Sequence, residues 1–410
     1  MAELENTSLG YHTFAFFQKE KEDIFNKLKT DFMIYAKKNN DIKRFPLENN
    51  KGWGYAYKKN KGIRWRLLSY KVQNTYIVHG VMAIVNPKVL IEKNYIAASE
   101  EDDLDMVEKI YNSEAAKISP LLSPFGSHSL SRVDPCLNID LKELRIPCTP
   151  EQMMVLIKQG NIPKHYKERD EKYDEKQHRR VKDKNSFYLE SKSATINYYW
   201  KYSKQDEKHP NYAFKELSRN VIRLEVQCKY LKLYPLSQNI RHKSKFHISD
   251  EKLSIDGIYE MLINETRSPS IPIDVMLSEE VYDNLIRKDF YRILRKGDYF
   301  TLDGARSIVE SYQFRNDKEE RIIHALELVK ESHGIAKAKS KLHGPDLTDF
   351  NRSLKDLDDM LINPVTIPRR WNIKYIPNLL RAYDDAKYEE RILIDKEGLA
   401  WKHIEEYLFK

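Results

Sequence analysis

Alternating hydrophobic and polar residues mark two segments in the middle of the chain as β-strands. In residues 220–231 every second residue is apolar, and the residues between them are polar, Arg223 and Glu225 among them. A side-chain period of two predicts a strand with one apolar and one polar face, which places Glu225 on the polar face. Residues 196–202 alternate similarly and predict a second strand, with one face carrying Trp200, Tyr202 and Lys204.

A third alternating segment, residues 130–141, also predicts a strand with one polar face. That face carries Arg132, Asp134, Cys136, Asn138 and Asp140. Pro135 interrupts the pattern, and proline within a strand indicates an edge position or a bulge. The same kind of analysis predicts strands at 11–17 and 75–85 and helices at 21–38 and 99–119.

The second half of the chain is helical in pattern. Apolar residues recur at spacings of three and four in 253–264, 278–296, 301–312, 318–332 and 349–362. The charged segment 164–184 predicts an exposed loop or helix inserted between strands. We therefore expect an α+β protein. Its antiparallel sheet with helices on one face would occupy residues 1–240, and a mostly α-helical domain would follow in 241–410.

Composition indicates a folded protein with a possible polyanionic partner. The 410 residues are 41% hydrophobic and 32% charged, with a formal net charge of +8 and three isolated cysteines. The three isolated cysteines exclude a disulfide framework and a cysteine zinc site. The positive net charge is compatible with a nucleic-acid partner.

The N-terminus lacks the pattern of a signal peptide, and no apolar stretch is long enough to span a membrane. We expect a cytoplasmic protein.

Residues 52–70 interleave aromatic and basic side chains, a mixture that stacks on bases and neutralises phosphates. The candidate DNA contacts here are Trp53, Tyr55, Lys58, Lys59 and Arg64. The alternative is a β-hairpin with its aromatic residues inside and its lysines in a solvated turn.

Two predicted strands carry the same arrangement, an arginine and an acid two residues apart on the polar face. Arg132 precedes Asp134, and Arg223 precedes Glu225. If the strands are close in the sheet, the two acids converge, and together with Asp140 they could hold Mg²⁺ or Mn²⁺. The alternative is a pair of arginine–acid ladders on the surface of a sheet.

Tyr202 is the candidate nucleophile. A phenol with a pKa of about 10 needs a cationic neighbour to react at neutral pH, and Lys204 on the same predicted face, with a bound metal, would provide it. Tyr198 and Tyr199 are immediate rivals. A tyrosine suits reversible attack on DNA because the phosphotyrosyl bond preserves the energy needed for rejoining.

The order of these motifs resembles a known family. LSRVD, then the segment from Tyr202 to Glu207, then VIRLEVQCKYLKL is similar to the replication initiators of the filamentous-phage gene two family. More distantly it resembles the Rep_trans rolling-circle plasmid initiators and related relaxases. The similarity is best over 75–233. One departure is Glu92-Lys93-Asn94, which stands where the phage protein carries Gly-His-Asn.

The resemblance implies site-specific nicking and rejoining of one DNA strand at an origin of rolling-circle replication. It implies Tyr202 as nucleophile, Asp134 and Glu225 as metal ligands, and Arg132 and Arg223 as residues that brace the acids or contact the scissile phosphate. The implied partners are double-stranded origin DNA, the displaced single strand, and host helicase, polymerase and single-strand-binding protein. No Walker-type phosphate loop occurs in the sequence, so unwinding would need a partner.

Three other functions fit the same residues. A conjugative relaxase would perform the same reaction during DNA transfer. A metal-dependent nuclease would use water as nucleophile, with Asp134, Asp140 and Glu225 as ligands and Tyr202 only packing. A non-catalytic DNA-binding protein would use the 52–70 segment and the helical half for contacts, and its acids would be structural.

Overall fold

The computed structural model describes residues 6–47, 52–59, 61–72, 76–127, 129–169, 171–174, 179–208, 211, 214–243, 273–387 and 399–409. Within them, ten strands form one antiparallel sheet in the order β2-β3-β4-β5-β1-β6-β12-β11-β10-β7. The β8–β9 and β13–β14 pairs form two small sheets. The expected α+β class, an antiparallel sheet combined with a helical region, is confirmed.

The strands of the described residues are β1 (Ser8–Glu20), β2 (Ile42–Pro46), β3 (Gly52–Tyr57), β4 (Ile63–Val72), β5 (Tyr76–Val85), β6 (Ser129–Asp140), β7 (Lys167–Glu168), β8 (Glu171–Asp174), β9 (Arg179–Lys182), β10 (Ser186–Glu190), β11 (Ala194–Trp200), β12 (Val221–Lys229), β13 (Tyr299–Phe300) and β14 (Tyr375–Ile376). The helices are α1 (Glu22–Lys38), α2 (Pro87–Glu92), α3 (Leu104–Ile118), α4 (Pro150–Ile157), α5 (Lys201–Lys208), α6 (Tyr230–Lys243), α7 (Ile273–Met276), α8 (Glu279–Leu294), α9 (Leu302–Ser311), α10 (Asn316–Glu331), α11 (Ile335–Ser340), α12 (Gly344–Asp359), α13 (Leu379–Lys387) and α14 (Leu399–Phe409).

The two faces of the large sheet differ in chemistry. On one face, aromatic side chains of the strands pack against α1, α3 and α8, through ring contacts such as Phe32 with Trp65 and Phe290 with Tyr198. We call this the helix-covered face. Cross-strand register places Thr13, Asp134 and Glu225 on the opposite face, which we call the polar face.

The predicted strand at 196–202 ends earlier than expected. β11 ends at Trp200, and α5 begins at Lys201. Residues 201–208 contain no β-branched residue and are rich in lysine, glutamine and acids, which favour a helix. Tyr202 and Lys204 therefore do not share a strand face, because residues two apart on a helix point in different directions.

The 52–70 segment forms the β3–β4 hairpin of the alternative interpretation. Tyr55 is 1% exposed and packs against Phe32 of α1, so the predicted contact of its side chain with DNA is wrong. Trp53 is 39% exposed, but register places it on the helix-covered face, where the Arg44 guanidinium lies 3.6 Å from its ring centroid. A base would have to displace that guanidinium, so Trp53 is a poor stacking site.

The helices predicted near 278–296, 301–312, 318–332 and 349–362 correspond to α8, α9, α10 and α12. The helix predicted at 253–264 lies outside the described residues, and a boundary near residue 240 stays a prediction. One hydrophobic core includes strand residues such as Leu224 and helical residues such as Phe290. Among the described residues no helix combines the length and apolar character needed to cross a membrane.

Phe290 tests whether α8 is an integral part of the sheet's core. Its side chain is 1% exposed and lies against Tyr198 of β11. Phe290→Ala should lower the free energy of unfolding by about 3–5 kcal/mol, because it removes a buried ring and leaves a cavity. Chemical denaturation measures the change. Lys288→Ala, at an exposed position of the same helix, should change it by less than about 0.5 kcal/mol. Equal effects would show that α8 is not packed as described.

Candidate metal centre

A β-bulge turns His12 toward the polar face. The register of β1 against β6 shifts between Tyr11 and Thr13, which pair with Pro135 and Asp134. His12 is the extra residue at this shift, and a bulge redirects the side chains that it contains. Pro135 has no backbone N–H to donate, so a proline opposite the bulge removes one partner from the ladder. The bulge that Pro135 indicated is therefore present, on the neighbouring strand.

His12, Asp134 and Glu225 converge on the polar face. One ligand atom from each lies within 4.8 Å of the other two. The Nδ1 atom of His12 is 3.7 Å from Oε2 of Glu225 and 3.0 Å from Oγ1 of Thr13. Asn86 places its amide nitrogen 3.1 Å from Nε2 of His12, while its Oδ1 caps α2 by accepting from the Val89 N–H. The helix cap thus orients the amide that contacts the imidazole.

Asp134 is a fully buried carboxylate. The pKa of its carboxyl is raised to about 7, mainly by burial; the Arg132 guanidinium opposes the rise, and the charge of Glu225 adds to it. Arg132 Nε donates to Asp134 Oδ1 at 2.8 Å and to Oδ2 at 3.0 Å. The ionised form of Asp134 is therefore disfavoured where water cannot reach it, and a bound cation would favour it.

The donor set fits a divalent metal ion. Carboxylate oxygens suit Mg²⁺ and Mn²⁺, and the imidazole nitrogen favours the transition ion Mn²⁺. Arg132 does not exclude a metal from Asp134, since an ionised carboxylate offers about four lone-pair sites. His12, Asp134 and Glu225 could therefore hold one ion between three strands, β1, β6 and β12.

Tyr199 contacts this cluster directly. Its hydroxyl donates to Glu225 Oε2 at 3.1 Å, and the side chain is 7% exposed. Burial, and then the charge of Glu225, raises the pKa of Tyr199 well above its ordinary value. Tyr199 therefore supports the position of Glu225 as a neutral hydrogen-bond donor.

Arg223 is buried behind the cluster. Its Nε donates to Asn138 Oδ1 at 2.6 Å, and its NH2 group donates to the carbonyls of Ile96 and Ala97. The side chain has no solvent exposure, so the predicted contact with a phosphate is wrong for this structure. Its role is to anchor the loop at 94–99 against the sheet.

Tyr202 and Lys204 lie on α5 with separate partners. The Tyr202 hydroxyl donates to Glu216 Oε1 at 3.1 Å, and the Arg219 guanidinium lies 5.5 Å from its ring centroid. Lys204 instead donates to Asp183 Oδ2 at 2.9 Å, so its predicted place beside the Tyr202 phenol is wrong. Cationic neighbours for Tyr202 come from Arg219 and Lys215.

Asp140 does not join Asp134 and Glu225. Its Oδ1 accepts from the backbone N–H groups of Lys142 and Glu143 at 2.8 and 3.2 Å, where β6 ends in a turn. Asp140 lies six residues after Asp134 on the same strand, which is too far for the two carboxylates to bind one ion. The prediction of Asp140 as a metal ligand is therefore wrong for this structure.

Of the remaining predicted DNA contacts, Lys58, Lys59 and Arg64 are exposed, and Arg132 is partly buried beside Asp134. Lys58 and Lys59 lie in the turn between β3 and β4, and Arg64 lies on the polar face. His12 was missed because simple alternation assigns it to the same face as Phe14 and Phe16, and only the bulge reverses that assignment. Pro135 was the available signal for the bulge, but it does not reveal which residue on the next strand is redirected.

Comparisons with known proteins give little further information. No protein-family model matches the chain, and no curated protein matches it. A solved structure that matches is a rolling circle replication initiator protein from Geobacillus stearothermophilus, at 10% sequence identity and a TM-score of 0.28. The match covers 69% of this chain and 96% of that chain. At that TM-score the two folds are not shown to be alike.

Metal binding by the three-residue cluster can be measured directly. His12→Ala or Glu225→Gln should weaken Mn²⁺ binding by at least about tenfold, because each removes one of the three donors. Titration followed by electron paramagnetic resonance of free Mn²⁺ gives the affinity. Asp140→Asn removes the same charge from the end of β6 and should leave the affinity unchanged. Equal weakening by Asp140→Asn would mean that net charge, and not this cluster, attracts the ion.

Proposed function

We propose that this chain nicks and rejoins one strand of DNA at an origin of rolling-circle replication, through a covalent tyrosine intermediate and with a divalent metal. The observation that supports this most is the convergence of His12, Asp134 and Glu225 on the polar face, next to the Arg132 side chain. The motif order that resembles phage and plasmid initiators supports it independently.

The three ligands would hold Mg²⁺ or Mn²⁺, which would polarise a phosphate oxygen and stabilise charge as the bond breaks. Arg132 hydrogen-bonds to Asp134 and so orients its carboxylate. The Arg132 side chain is 33% exposed, so its exposed N–H groups can donate to a phosphate. Arg64, exposed on the same face, is a second phosphate contact. These residues position the DNA, and the tyrosine performs the substitution.

Tyr202 suits the role of nucleophile better than Tyr199. It is partly exposed at the start of α5, whereas Tyr199 is buried and engaged with Glu225. Glu216 accepts the hydrogen bond of the Tyr202 hydroxyl, and the hydrogen bond from Arg219 lowers the pKa of Glu216. Glu216 is therefore an ionised acceptor for the phenolic proton.

The proposed reaction balances without another reactant. The phenolic oxygen of Tyr202 forms a bond to phosphorus while the bond from phosphorus to the 3′ oxygen breaks. The phenolic proton passes to Glu216, and the departing oxygen takes up a proton to become a free 3′-hydroxyl. The 5′ end remains attached to the protein, and the reverse reaction rejoins the strand. Unwinding would come from a host helicase, and synthesis from a host polymerase on the 3′-hydroxyl.

One observation favours a second candidate, a nuclease in which water attacks. The Tyr202 hydroxyl hydrogen-bonds to Glu216 and not to an acid of the metal cluster. Water activated by an ion at His12, Asp134 and Glu225 would leave free 5′-phosphates, whereas attack by tyrosine leaves 5′ ends blocked by protein. The chemical state of the 5′ ends therefore separates the two reactions.

Tyr202→Phe should abolish the covalent adduct between protein and DNA, a fall of at least about a thousandfold in rate, because it removes the attacking oxygen. The assay uses supercoiled DNA that carries the replication origin of the phage, plasmid or integrated element that would encode this chain, with Mg²⁺ or Mn²⁺, and scores relaxation and protein-linked 5′ ends. The matched control is Tyr199→Phe, which makes the same chemical change at the hydroxyl that contacts Glu225. It should slow the reaction by about tenfold and keep the adduct.

Other outcomes of this assay have defined meanings. An adduct retained by Tyr202→Phe but lost in Tyr199→Phe would assign the bond to Tyr199. Nicking with free 5′-phosphates in the wild-type protein and in both variants would identify water as the nucleophile. Salt-sensitive DNA binding without cleavage under any divalent metal would contradict both enzymes and favour a binding protein.

A further inference from the structure

A row of basic side chains crosses the polar face of the large sheet. Cross-strand register aligns one residue from each of seven neighbouring strands: Lys43, Ala56, Arg64, Ile84, Ala15, Arg132 and Lys229. Four of these seven are cationic, and the three between them are small or apolar. We call this the cationic row. The row passes beside the metal cluster, since Arg132 hydrogen-bonds to Asp134, and it ends at Lys229, whose Nζ lies 3.7 Å from Oε1 of Glu190.

A second row runs parallel to the first, farther from the metal cluster. It contains Phe45, Gly54, Arg66, Met82 and Phe17 in successive strands β2, β3, β4, β5 and β1. We call this the aromatic row. The Phe45 ring occupies the space where a side chain at Gly54 would stand, and the Phe17 ring does the same at Gly80. Both rings are half-buried, so each keeps part of its surface accessible.

The charge of this part of the sheet is not balanced locally. Strands β2, β3, β4 and β5 contain no aspartate or glutamate, and Lys43, Arg64 and Arg66 are exposed. No ion pair involves these three side chains among the described residues. Arg66 lies two residues from Arg64 on the same strand face, and Arg132 lies in the same cross-strand row as Arg64. Partial burial, and then the like charges of Arg66 and Arg132, lower the pKa of the Arg64 guanidinium. A polyanion would relieve this repulsion.

We propose that this surface binds single-stranded DNA, with phosphates along the cationic row and at Arg66, and with bases stacked on Phe45 and Phe17 of the aromatic row. This inference deepens the proposed function. It rests on that function for one point, that the bound DNA strand runs toward the metal cluster. From β2 to β6 the row spans five strand spacings, about 24 Å. That length suits a site of roughly four nucleotides, the lower end of the range for single-strand binding grooves.

The geometry favours a single strand over a duplex. Half-buried rings on a sheet can stack only on bases whose faces are free, and base pairs in a duplex cover those faces. An acidic protein would satisfy the cationic row but would gain nothing specific from the half-buried rings beside Gly54 and Gly80. The loop at 94–99 covers the polar face near Gly10 and Arg223, on the side of the metal cluster away from the cationic row. The bound DNA strand would therefore reach the cluster from the side of β2–β5.

Binding measured with a chelator present tests this surface separately from catalysis. Fluorescence anisotropy of a labelled oligothymidylate and of a duplex of equal length gives the affinities of the full chain. The wild-type protein should prefer the single strand. Arg64→Ala combined with Arg66→Ala should reduce the slope of log affinity against log salt by about 1.4, because two contacts with a single strand are lost. Lys27→Ala combined with Lys37→Ala, on exposed positions of α1, removes the same charge and should leave the slope unchanged.

Phe45 tests the stacking. Phe45→Ala should weaken single-strand binding roughly 5- to 150-fold without a comparable effect on duplex binding. Phe45→Leu keeps apolar cover over Gly54 but lacks an aromatic face, so it should lose affinity as well. If Phe45→Leu binds like the wild type, stacking is wrong and the ring serves only packing. Equal binding of single strand and duplex, with no effect of Phe45→Ala, would also overturn the proposal.

Failure of this inference and failure of the proposed function give different results. If the wild-type protein never cleaves DNA but the arginine variant loses single-strand affinity, the binding surface stands and the nicking function fails. If the wild-type protein forms the covalent adduct and the arginine variant keeps both its affinity and its salt slope, the binding surface is wrong and the nicking function stands. Binding of an acidic protein but of neither nucleic acid would overturn the assignment of the partner.

Discussion

The burial of Asp134 is the constraint around which the centre of the sheet is built. A carboxylate without solvent is costly unless it is neutralised, and here Arg132 lies within hydrogen-bond distance of both oxygens. His12 and Glu225 also lie close to Asp134. The charge of Glu225 adds to the negative charge there instead of balancing it. Arg132 alone would complete a structural ion pair, and the added acid and imidazole make a group that could hold a cation.

The position of this cluster follows from how the two faces of the sheet are used. Helices α1, α3 and α8 cover one face with aromatic contacts, which leaves the other available for polar side chains. Beyond the cluster, the loop at 94–99 is fixed by Arg223 and Asn138. Toward β2 the same face carries basic side chains. The acids thus lie between a region covered by the loop at 94–99 and a region whose basic side chains are exposed.

Regular patterns in the sequence predicted much of the fold, and local irregularities limited the prediction of the site. Period-two alternation correctly placed Asp134 and Glu225 on one face because both lie in regular strand segments. It failed for His12 because a bulge shifts the face of one residue, and the sequence shows no difference between a regular and a bulged histidine. It failed for Tyr202 and Lys204 because a tyrosine-rich strand continues directly into a helix without a glycine or proline to mark the change.

The place of β1 in the sheet has a consequence for how the chain assembles on the ribosome. β1 pairs with β5 on one side and with β6 on the other, so it is the hydrogen-bonded connection between the two halves of the large sheet. Strands β1 to β5 can associate as soon as they are synthesised, but the outer edge of β1 then waits for β6 to emerge. An open edge at the centre of the future sheet invites pairing with other chains. The 43 residues between β5, which ends at Val85, and β6, which begins at Ser129, therefore set a period of vulnerability to aggregation, which ends when the strand that carries Asp134 is added.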